Sequence, residues 1–195
     1  MITNPLENIW LLLILWGLVY LADFYLTMYS ARIFQGRMRE HIRFEGSLEL
    51  TPVFQKDVDA IRMLSPNFFI RWLASFPVLY LVGWLSINFL GLPQYFTLVM
   101  GALLLREVAV ILRHIRNLGL AQLSKNGGIQ GAIEYARWLS LRLSAVELVS
   151  FAGFFLILAF LESSWFFLGG ALSCLLTGYQ HWVYARKRIA MQQRS

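Results

Sequence analysis

Five ionisable side chains lie within long apolar runs of this sequence: Asp23, Arg106, Glu107, Glu147 and His181. A charge in hydrocarbon costs about 3 kcal/mol or more unless it is paired or hydrated, so each is a candidate for binding or proton transfer. Their spacing adds to the signal. Ser140, Ser144, Glu147 and Ser150 recur at i, i+4, i+7 and i+10, tracing one polar helical face that should point into a bundle. Glu107 and His114 are seven apart, as are Arg106 and Arg113, and Asp23 stands four before Thr27. At 1.5 Å per residue, the five charged positions fall roughly 5 to 10 Å from the basic ends of their apolar runs.

Two readings of this cluster follow. In one, Asp23, Glu107 and Glu147 form an inward-facing pocket open to the cytoplasm that binds a cation, relays protons or takes a lipid headgroup, with Arg106 balancing their charge. In the other, Arg106 pairs with Asp23 or Glu147 only to fix helix register. His181 is the weakest member, because a histidine near the interface can meet water or headgroups. The metal, if any, and the cofactor stay unidentified. Carboxylates and one histidine suit a hard or borderline divalent ion, but the sequence holds no zinc-type Cys/His spacing, phosphate-cradling glycine loop or nucleophile elbow. A metal-dependent enzyme acting on lipid is therefore the second functional reading, behind a transport, channel-like or membrane-complex subunit.

The elements that must position these groups are membrane helices. Of the 195 residues, 58% are hydrophobic and 14% charged, and the mean hydropathy is +0.58, far more apolar than a soluble domain. Apolar runs long enough to cross roughly 30 Å of hydrocarbon occur five times, at about 9–28, 68–90, 96–112, 143–161 and 165–184. The expected fold is all-α: a single transmembrane domain of five helices in the cell (inner) membrane. Met1 to Asn8 holds no Lys or Arg, so the first run reads as a retained helix, not a signal peptide.

Orientation follows from the 17 Lys and Arg residues. Segment 29–67 carries Arg32, Arg37, Arg39, Arg43, Lys56 and Arg62; segment 113–142 carries Arg113, Arg116, Lys125, Arg137 and Arg142; the tail 185–195 carries Arg186, Lys187, Arg188 and Arg194. The intervening segments 1–8, 91–95 and 162–164 carry none, and Arg71 and Arg106 lie close enough to the basic ends to snorkel. The positive-inside rule then puts the N-terminus outside and the C-terminus in the cytoplasm. The basic rim should attract anionic lipid. No basic stripe interleaved with exposed aromatics is present, so nucleic acid is not an expected partner. Trp10 and Trp165 fall near the outer edge, and Tyr29, Trp72, Trp138 and Trp182 near the inner one.

Between the first two spans, Thr51-Pro52 reads as a cap with proline at the first helical position. Phe54, Val58 and Ile61 then predict a short amphipathic helix along the membrane surface. Ser65-Pro66 repeats the device and launches the second span, in which Pro77 predicts a kink. Gly119 marks the expected end of the third helix and Asn126-Gly127-Gly128 a turn, after which Ile129 onward reads as helix through Tyr135 and Trp138 into the fourth span. In the fifth, Gly170, Cys174 and Gly178, beside Gly169, Ser173 and Thr177, form small-residue rows for close helix packing, within the chain or in a homo-oligomer or larger complex. Cys174, the single cysteine, reads as a small packing residue.

Asp23 with Thr27, followed by Glu49-Leu50-Thr51-Pro52, resembles a pattern in small uncharacterised prokaryotic membrane proteins, in which an Asp and a Thr one turn apart precede a Glu-x-Asn-Pro element. Here Thr51 stands in place of the Asn. The resemblance spans about thirty residues and implies that Asp23 and Glu49 act together; it brings no activity.

Overall fold

The computed structural model describes residues 5–38, 41–47, 49–51, 53–125 and 131–193. Pro52, Arg39, Arg194 and the expected turn at Asn126-Gly127-Gly128 lie outside the described residues. The described chain is built from α1 (Ile9–Ile33), β1 (Ile42–Phe44), α2 (Gln55–Asp59), α3 (Pro66–Trp84), α4 (Pro93–Lys125), β2 (Ile133–Tyr135), α5 (Arg137–Leu161) and α6 (Trp165–Gln192). Wider π-helical turns extend α1 over Phe34–Met38 and α3 over Leu85–Phe89.

Four helical stretches are long and apolar enough to cross a membrane: Ile9–Gly36, Pro66–Phe89, Pro93–Leu123 and Arg137–Leu161. The fifth long helix, α6, is less apolar because Gly169, Gly170, Ser173, Gly178, Gln180 and His181 interrupt its leucines.

The five long helices run alternately up and down. At one end Thr97 of α4 donates to the Leu6 carbonyl at 3.3 Å, and Glu162 between α5 and α6 lies near the same residues. At the other end β1 and β2 pair in parallel, with Ile42 opposite Ile133 and Phe44 opposite Tyr135. Side by side the helices follow the order α3, α1, α4, α6, α5, and α1 does not pack closely on α5. That arrangement leaves a cleft with α4 and α6 as its back wall.

The pairwise packing has local causes. Trp16 of α1 donates to Ser75 of α3 at 2.8 Å, and Trp72 donates back to the Gly17 carbonyl at 3.2 Å. Trp72 is thus a tie between helices more than an interfacial anchor. In the Pro77 region the Ser75 hydroxyl donates to the Trp72 carbonyl at 2.6 Å. Between α4 and α6 the backbones nearly touch: a Cβ on Gly101 would stand 1.9 Å from the Phe166 carbonyl oxygen, and one on Gly169 2.0 Å from that of Leu98. The expected small-residue row faces neighbours in the same chain, with Gly170 against Leu105, Gly178 against Ala145 and Leu148, and Cys174 buried beside Ala109, Leu148 and Ala152.

Four expectations from the sequence need correction. The amphipathic helix after Thr51 shrinks to the single turn α2; Phe54 occupies its cap position without a side-chain bond, and Ile61 lies beyond it at φ 49°. The third helix does not stop at Gly119 but continues to Lys125, since one exposed glycine costs a helix only about 1 kcal/mol. Residues 133–135 are strand, and the following helix begins only at Arg137. Ser150 does not join the inward face of α5; it is exposed and donates to the Val146 carbonyl at 2.9 Å. By contrast Ser65 caps α3 as its sequence suggests, accepting from the Phe68 amide at 3.2 Å with Pro66 at the first helical position.

Candidate functional site

The cleft widens at the strand-bearing end into a cavity of about 760 Å³. Asp23, Arg106, Glu107, Glu147 and His181 all line it, so the structure gathers the five sequence candidates around one space. Glu49 and Thr27, the other residues carrying the family resemblance, line it as well.

Each wall has a separate origin. At 1.5 Å per residue the 33 residues of α4 reach about 50 Å, well beyond the roughly 30 Å hydrocarbon core, so the polar face that begins at Glu107 continues without a break through Arg113, His114, Arg116 and Asn117. The α1 wall presents Asp23 and Thr27 one turn apart. The α5 wall presents Ser140, Ser144 and Glu147, and α6 adds Thr177, Gln180 and His181. Over the top lies the segment joined to β1. Arg137, the first residue of α5, holds it there: its guanidinium donates to the carbonyls of Ser47 and Glu49, the latter at 3.0 Å, and its backbone amide donates to the Glu45 carboxylate at 2.9 Å. Phe44 stacks on Tyr135 at 5.3 Å between ring centres and seals the strand pair.

The charges are organised in pairs that the sequence did not specify. Arg106 does not bridge to Asp23 or Glu147, the pairing of the register-fixing reading; it binds its own neighbour Glu107. Glu147 is taken by Arg116 at 2.7 Å. Nε2 of His114 hydrogen-bonds the Thr27 hydroxyl at 3.0 Å and lies 3.6 Å from Asp23 Oδ1. The longer contact exceeds hydrogen-bonding range, and among the described residues Asp23 Oδ1 and His114 Nδ1 are buried without a hydrogen-bond partner. Across the cavity, Arg113 donates to Ser144 at 2.5 Å, and the same hydroxyl contacts His181 Nδ1 at 3.0 Å.

Sequence reasoning missed Arg113, Arg116 and His114 as site residues because it ended the third apolar run at residue 112. For Arg113 and His114 the signal was the helical spacing 106, 107, 110, 113, 114, 117, which carries one face straight past that boundary. Among the described residues no group of three or more His, Cys, Asp or Glu side chains is placed to hold a metal ion.

Compared with known proteins, the chain matches no family model, no curated protein and no solved structure.

Proposed function

We propose that the chain is a five-span membrane protein, N-terminus outside and C-terminus cytoplasmic, whose cavity admits a polar ligand from the cytoplasmic side as part of a transport or membrane-complex function. The ligand classes that suit it are an ion, a proton or a lipid headgroup. One observation carries this reading: five ionisable residues from four different helices line a single cavity of about 760 Å³, the size of an ordinary ligand site, where register-fixing ion pairs alone would leave no space to fill. The basic residues that flank the strand-bearing end support the orientation. α6 serves as the fifth span because its small-residue side packs on α4 and α5.

The test is the set Asp23→Asn, Glu107→Gln and Glu147→Gln, purified and reconstituted. The expected result is well-folded protein with lost ion or proton flux, or lost lipid retention. Equal loss of folding yield in all three would assign the charges to structural pairing. Unchanged flux and unchanged retention in all three would remove the cavity from any function.

A further inference from the structure

The charges around the cavity neutralise one another only in part. Arg106 with Glu107 and Arg116 with Glu147 are complete pairs. Three charges are left. Arg113 reaches the α5–α6 wall but meets only the neutral Ser144, and it forms no ion pair among the described residues. Asp23 stands on the α1 wall with a buried oxygen that accepts no hydrogen bond from the described residues, His114 Nε2 being the near group at 3.6 Å. Glu49 lies on the overhanging segment, where one of its oxygens accepts the Thr51 amide at 2.6 Å. Arg113 thus bonds the α5–α6 wall, while Asp23 stands on α1 and Glu49 on the segment above, where the Arg137 guanidinium donates to its carbonyl at 3.0 Å. Removing a charge from water without a partner is costly, and a lone cation or lone anion would answer only one half.

We infer that the ligand is a primary-ammonium zwitterion, its anionic group against Arg113 and its ammonium against Asp23 and Glu49. This inference rests on the cavity being a ligand site. The unbonded Asp23 oxygen calls for a hydrogen-bond donor, which a primary ammonium supplies and a quaternary one does not. The cleft between α1 and α5 gives such a headgroup a lateral way in. Its rim on α5 is apolar, with Leu143 51% and Val146 59% exposed, so the acyl chains of a phosphatidylethanolamine could stay in the bilayer while the headgroup enters.

The experiment uses the full chain, delipidated in detergent, with dioleoyl-phosphatidylethanolamine, dioleoyl-phosphatidylcholine or dioleoyl-phosphatidylglycerol added back and retention read by native mass spectrometry. The ethanolamine lipid should be held about tenfold more tightly than either of the others, the effect of one charge-assisted hydrogen bond. Glu49→Gln, and Asp23→Asn where its lipid-free melting is unchanged, should lower ethanolamine-lipid retention to the phosphatidylcholine level. Arg113→Gln should lower retention of all three. Equal retention of the three lipids by the parent protein, or a preference that survives both carboxylate substitutions, overturns the inference. Binding of only the glycerol lipid overturns it too, yet leaves the cavity as a ligand site. Soluble O-phosphoethanolamine serves as the second arm: if it raises the melting temperature as far as the lipid does, the zwitterion stands and its source is the aqueous phase.

Discussion

Asp23 and His114 show how a single hydrogen bond decides which group is left open. The Thr27 hydroxyl occupies His114 Nε2 at 3.0 Å and leaves Asp23 at 3.6 Å. Thr27→Val would strand a ring nitrogen in a buried site and should cost about 1–2 kcal/mol, read as a lower midpoint of unfolding in detergent; an unchanged midpoint would show that the bond contributes nothing. Arg116 makes the opposite case. Its side chain is 58% exposed, so Arg116→Gln should cost under about 1 kcal/mol in stability, while freeing Glu147 within the cavity and strengthening the retention of cationic ligands. The five ionisable residues were legible in the sequence because charges are rare in apolar runs. Their partners were not. Spacing gives the face of one helix but not its rotation against the next, so the bridge from Arg106 to another helix in the register-fixing reading is in fact a bond to its neighbour Glu107.

At the scale of elements, glycines of equal appearance in the sequence have unequal roles. Gly101 and Gly169 sit where a Cβ would collide with backbone, whereas a Cβ on Gly153 meets nothing within 4 Å. Gly169→Val should therefore cost about 3 kcal/mol or prevent folding, since overpacking against backbone cannot be relieved by a rotamer change, while Gly153→Ala should be close to neutral; comparable losses in detergent unfolding would contradict the crossing of α4 and α6. The junction before α3 depends on Asp57, which is buried and accepts from the Ser65 hydroxyl that caps the helix. Ser65→Ala should lower stability by about 1–2 kcal/mol. Ser65-Pro66 carried that cap openly in sequence. The strand pair left no comparable trace, because its two three-residue strands gain their order from each other and from contacts distant in the chain, among them Phe34 and Ala121, and helical periodicity ran through the second of them.

For the whole molecule, alternation of the long helices separates two aqueous ends. Ser47 and Thr51 belong to the cavity end, and Ser163 to the opposite turn. In a Cys174→Ala background, a cysteine at Thr51 should react with a membrane-impermeant maleimide only from the cytoplasmic side, and one at Ser163 only from outside; the reverse pattern, or labelling of both from one side, would sink the proposed orientation. One-sidedness of the basic residues was visible from the sequence alone. The space that those residues surround was not, because a cleft depends on which helices fail to touch, and α1 and α5 differ from the packed pairs in nothing that periodicity can register.

The strand pair also has a consequence in time. Ile42 and its partner Ile133 are separated by about 90 residues, and a ribosome adds roughly 5–20 residues per second. A nascent chain therefore spends roughly 5 to 20 s with α1 and β1 already made and the partner strand still absent. During that interval Asp23 of α1, joined late by the charges of α4, is open to water and to whatever lipid lies beside the translocon, and closure by Arg137 comes only as α5 emerges.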